Sequence, residues 1–82
     1  MTRAEREYNP DLIGERIRSL REERSMSKIA FARLIGSSTG TVNNNWEMGT
    51  RLPTAYSIFQ LAKACGVSAD WLLGLTDERR RP

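Results

Sequence analysis

Between Ser27 and Pro53 the chain changes character at Ile35-Gly36-Ser37. Before that hinge, Phe31, Ala32 and Ile35 recur at helical spacing and mark a buried face. After it, hydroxyl residues open a second short helix, with Val42 and Trp46 on one face and Thr39, Gly40, Thr41, Asn43, Asn44 and Asn45 elsewhere. Gly36 supplies the turn, since a left-handed backbone costs glycine little. The polar helix is poorly built for stability alone: asparagine ranks low in helix interiors, and glycine costs roughly 1 kcal/mol against alanine. Its side chains are short donors and acceptors suited to base edges, where asparagine bonds adenine bidentately and a threonine methyl touches thymine. A polar helix standing off such a hinge is suited to entering a major groove. Thr39, Gly40, Thr41, Asn43 and Asn44 are therefore the expected base-contacting residues. The competing reading is a plain solvated helix face.

The rest of the chain predicts further helices around this pair. Met1 to Tyr8 is polar and charged, and residues 1–9 read as a flexible arm. Asn9-Pro10 is a strong helix start, with asparagine as N-cap and proline at the first helical position. Ile13, Ile17 and Leu20 then repeat at helical spacing to about residue 24. Ser27 caps the second helix and Ser38 the third, which stops before Gly49. Thr54 caps a fourth, on which Ile58, Leu61, Ala62 and Cys65 share a face before Gly66. Ser68 caps a short fifth, Ala69 to Leu73, closed by Gly74. Residues 76–82 read as a charged, disordered tail. The expected architecture is an all-α five-helix bundle over residues 10–75.

Composition narrows the partners. A chain of 82 residues makes one domain with a modest core. Net charge +3 and a pI near 9.6 favour an anionic partner. No apolar run approaches the roughly 18 to 20 residues of a membrane-spanning helix, and no signal peptide is visible. The lone Cys65 has no internal disulfide partner and suits a reducing, cytoplasmic setting. Histidine is absent, so neither metal ligation nor histidine-based catalysis is expected, and no cofactor is implied. An enzyme reading has no support.

The series Ile13-Gly14-Glu15-Arg16-Ile17-Arg18, Met26-Ser27, Phe31-Ala32, Gly36, Trp46-Glu47-Met48-Gly49, Pro53 and Leu61-Ala62-Lys63-Ala64-Cys65-Gly66-Val67-Ser68-Ala69-Asp70-Trp71-Leu72-Leu73-Gly74 resembles the Cro and phage-repressor type of helix-turn-helix regulators. The nearest branch is the CI-type repressor DNA-binding domain. The resemblance implies a five-helix domain of the lambda-repressor type, usually dimeric on DNA, with its third helix in the major groove. It also places Lys28 against a phosphate and pairs Arg21 with Glu47 as a structural ion pair. Ser27 and Ser38 sit at helix starts, whose amides and dipole attract phosphate oxygens. Asn45 and the connector residue Arg51 complete the expected phosphate contacts.

The chain departs from the family in one respect. Val42 stands four residues before Trp46, whereas in most family members the equivalent apolar residue stands three before the tryptophan. A longer third helix keeps Val42 and Trp46 on one face; a longer turn would bury Asn43 instead. The first is preferred, because an unpaired buried amide costs kilocalories. Trp71, Leu72, Leu73 and Leu75 are apolar for so short a helix, which makes Trp71, Leu72 and Leu75 candidate dimer contacts as well as candidate core. The leading expectation is a sequence-specific transcriptional regulator on a two-fold symmetric operator, a phage or prophage repressor or its DNA-binding part. The alternatives are a DNA-binding antitoxin and a protein-interaction module that kept the fold without DNA binding.

Overall fold

The computed structural model describes residues 2–36, 46–49 and 51–81. They form four helices, α1 (Pro10–Glu23), α2 (Lys28–Leu34), α3 (Ala55–Cys65) and α4 (Ala69–Leu73), preceded by a 3₁₀ turn at Arg3–Glu5. These are the expected first, second, fourth and fifth helices. Residues 37–45, most of the expected third, lie outside the described residues.

Each helix starts where a side chain satisfies a first-turn amide. Asn9 Oδ1 accepts from the Leu12 amide at 3.1 Å, with Pro10 opening the helix. Ser27, Thr54 and Ser68 accept in the same way from Ala30, Ser57 and Trp71 at 3.1, 3.1 and 3.2 Å. Each such cap stabilises its helix by about 1 kcal/mol. At the far ends, α3 and α4 close through Gly66 and Gly74 at φ 68° and 86°. The end of α1 is different. Its chain turns through Ser25 at φ 52°, and the Met26 amide donates back to the Arg21 carbonyl at 3.2 Å. That is a Schellman closure made without the glycine it favours.

The core is drawn from every helix. Ile13, Ile17 and Leu20 of α1 meet Phe31 and Ala32 of α2, Ile58 and Leu61 of α3, and Leu72 of α4. Ile35, Trp46 and Val67 fill the spaces between helices, and Met26 and Cys65 pack at the edge. Burying each large aliphatic side chain contributes roughly 1.5–3 kcal/mol. Cys65 is half-buried, and that burial pushes its thiol pKa up, away from reactivity.

The two ends of the chain differ from expectation: both lie on the body. Arg6 donates to the two oxygens of Asp77 at 3.2 and 2.9 Å and to the Gly74 carbonyl at 3.2 Å. From α1, Arg16 donates to the carbonyls of Trp71 and Thr76 and to Asp77 at 3.2 Å. Arg79 grips Glu23 at 2.7 and 2.5 Å, while its own carbonyl accepts from the Ser68 amide at 2.9 Å. Val67 and Arg80 form an isolated antiparallel bridge. The guanidinium groups of Arg16, at 4.9 Å, and Arg79, at 5.3 Å, both lie over the Trp71 ring. Arg6, Arg16 and Arg79 each find an acceptor on a part of the chain distant in sequence.

Candidate nucleic-acid interface

The residues expected to read bases, Thr39, Gly40, Thr41, Asn43 and Asn44, lie outside the described residues, as do Ser38, Asn45 and Val42. The described part of the interface flanks them. Upstream, Ser27 is exposed and its hydroxyl oxygen is taken by the Ala30 amide, so its role is that of a cap. The first-turn amides of α2 have no intrahelical acceptor, which leaves this helix start fit to meet an anion. Lys28, half-buried, is its first residue. Downstream, Arg51 is exposed in the connector.

Directly after residue 45 the chain makes a tight turn, Trp46 to Gly49, in which the Gly49 amide donates to the Trp46 carbonyl at 3.1 Å. Trp46 is buried in the core, and the Glu47 side chain is only 3% exposed. Arg21 meets the Glu47 carboxylate with two parallel bonds, Nε to Oε2 at 2.8 Å and Nη2 to Oε1 at 3.1 Å. Its third donor, Nη1, reaches the Met26 carbonyl at 3.1 Å, tying the α1–α2 turn to the same group. This is the pairing expected of Arg21 and Glu47, in the fork geometry that makes arginine–carboxylate bonds strong.

Three more residues of α1 share that face. Arg18 donates from Nη2 to the Glu47 carbonyl at 3.1 Å, and its Nε stands 3.6 Å from Glu47 Oε1. A Cβ on Gly14 would collide with the Trp46 carbonyl and come within 2.9 Å of the Glu47 carbonyl. A Cβ on Gly49, at φ 75°, would meet Asp11 Oδ1 at 2.6 Å. Asp11, Gly14, Arg18 and Arg21 follow the helical spacing of three, four and three, and so form one seam beside the apolar face. One seam of α1 therefore cups the whole turn. Two guanidinium groups on one carboxylate hold this turn where the chain follows residues 37–45.

Local spacing alone leaves Arg16, Arg18 and Arg24 as mixed surface charges beside Glu15, Glu22 and Glu23. The structure uses all three as ties: Arg24 donates to the Leu20 carbonyl at 2.9 Å and the Cys65 carbonyl at 3.2 Å, joining α1 to the end of α3. Gly14 stood in the quoted motif, but nothing local distinguished it from a tolerated helix glycine.

The expected dimer contact needs correction. Leu72 is fully buried and Trp71 is 8% exposed, covered by Arg16 and Arg79, so neither presents a surface to a second copy. Leu75 is half-buried. The large apolar side chains that do face outward among the described residues are Tyr8, Ile29, Leu34, Met48, Leu52, Tyr56, Phe59 and Leu73. Among the described residues no helix is long and apolar enough to cross a membrane, and no cluster of ligating side chains could hold a metal ion.

Comparison with known proteins places this geometry. A helix-turn-helix family model matches residues 17–72. Repressor protein C2 of Salmonella phage P22 is 32% identical over 65 residues, which is 79% of this chain; the chain spans 30% of that repressor's length. A crystal structure of the P22 c2 repressor in complex with a synthetic operator superposes with a TM-score of 0.72 at 31% identity, covering 79% of this chain and 97% of that one. The restriction-modification controller protein C.AhdI of Aeromonas hydrophila superposes with a TM-score of 0.66 at 29% identity, over 76% of this chain and 92% of the controller. With a match across residues 17–72 and a fold shared with these proteins, the chain belongs to the helix-turn-helix family.

Proposed function

We propose that this chain is a sequence-specific, double-stranded DNA-binding transcriptional regulator of the phage or prophage repressor kind, acting as a homodimer on a two-fold symmetric operator. The observation that carries this reading is the likeness, at TM-score 0.72 and 31% identity, to a repressor solved on operator DNA. The described site agrees with it. Lys28 at the start of α2 and Arg51 in the connector flank residues 37–45 with positive charge, as a phosphate backbone on either side of a groove requires. Thr39, Gly40, Thr41, Asn43 and Asn44 supply base-reading side chains or close backbone approach. Ser38 and Asn45 bracket them as phosphate contacts.

Selection of bound sequences from a random duplex pool tests this reading. The expected result is enrichment of an inverted repeat whose half-sites lie about one helical turn apart. Recovery of an unenriched pool at moderate salt would refute it, and enrichment of a single asymmetric site would refute the homodimer.

A further inference from the structure

We infer that Arg18 is a positioning residue for DNA recognition, acting through the Trp46–Gly49 turn rather than through contact with DNA. The Arg21–Glu47 pair fixes one side chain, and it leaves the backbone of the turn to be held by other groups. Arg18 does that: it binds the Glu47 carbonyl at 3.1 Å while its Nε lies 3.6 Å from the carboxylate of the same residue. Gly14, one turn earlier on α1, lets the Trp46 and Glu47 carbonyls come so close that any side chain there would push them away. Trp46 stands two residues after Asn44, the last residue expected to read a base. Gly14 and Arg18 therefore hold the first two described peptide groups after residues 37–45. Arg18 is half-exposed, at 46%, so its removal exposes no large cavity and leaves the core intact.

This role, which rests on the DNA-binding reading above, separates three behaviours. A group that only stabilises the fold lowers Tm and leaves the affinity of folded protein unchanged. A phosphate contact weakens binding to every duplex equally and reduces the salt slope by about one. A positioning residue weakens the selected site more than random DNA and leaves the salt slope alone.

The test uses the full chain with Arg18→Ala and Arg18→Lys, a selected duplex and a random one, measured well below Tm. Arg18→Ala is expected to lose affinity for the selected site by about 5- to 30-fold, the range for one lost charge-assisted bond. Random-duplex binding and the salt slope should stay nearly constant. Arg18→Lys keeps the charge but not the two-point grip, and should recover only part of the loss. Full recovery by lysine, or equal losses on both duplexes, overturns the proposal. A second readout needs no DNA: amide exchange at Gly49, whose N–H closes the turn, should quicken in Arg18→Ala while amides in α3 stay protected. Unchanged exchange at Gly49 also overturns it. If the parent chain binds no duplex, the DNA-binding reading falls, whereas the exchange measurement still decides whether Arg18 holds the turn.

Discussion

Ser25 holds a backbone conformation, φ 52°, that side chains other than glycine adopt at a cost. The Met26 amide closing onto Arg21 demands that conformation, and Arg21 in turn carries Glu47, so the strain sits under the α1–α2 turn. Ser25→Gly should relieve it and raise stability by about 1 kcal/mol, several degrees in Tm for a chain of this size. A lower Tm would show that serine makes a bond here that outweighs the strain. The third helix offers a second single-residue test, in residues the structure leaves undescribed. If the longer-helix register is right, Val42→Ala should destabilise the fold by roughly 1–3 kcal/mol through lost burial. Asn43→Ala should leave stability nearly unchanged or slightly higher, because alanine is the better helix former. Thermal unfolding of the two variants separates the registers. Greater damage from Asn43→Ala would move every base-contact assignment by one position.

Among elements, the helix starts were legible and the ties between them were not. Asn9, Ser27, Thr54 and Ser68 cap amides only three residues away, so a short window of sequence contains both partners. Arg16, Arg24 and Arg79 bind groups that are distant along the chain, at Asp77, Cys65 and Glu23, and no window pairs them. The tail read as disordered for that reason. Its docking has a pH signature. Arg6, with Arg16 behind it, pushes the Asp77 carboxyl from an ordinary 3.8 down to about 2, and Arg79 lowers that of Glu23. A carboxyl depressed in the folded state contributes stability that is complete above about pH 4 and disappears as the pH falls through about 2. Tail docking, followed by Trp71 fluorescence or by proteolysis beyond Leu75, should therefore be constant from neutral pH to about 4 and release below it. Release already at neutral pH in moderate salt would mean that these ion pairs do not hold the tail.

At the scale of the whole molecule, the sequence carried the class of partner further than it carried the surface of assembly. Threonine and asparagine beside a glycine hinge state a chemistry suited to base edges, and these residues lie outside the described ones. Trp71 and Leu72 state only apolarity, which fits core and interface equally, and Arg16 and Arg79 decide the matter by covering the ring. The seam of Asp11, Gly14, Arg18 and Arg21 gives the molecule its organising contact, one face of α1 holding the turn that returns from residues 37–45. Lys28 and Arg51, in each of two copies, are the groups expected to meet a phosphate backbone. The affinity of the chain for its selected duplex, titrated against salt, tests that claim most directly. If a dimer makes about six to ten phosphate contacts, affinity should fall by roughly 10³ to 10⁵ between about 50 and 200 mM salt, with the selected site preferred throughout. An affinity indifferent to salt, or equal for selected and scrambled duplexes, would contradict it.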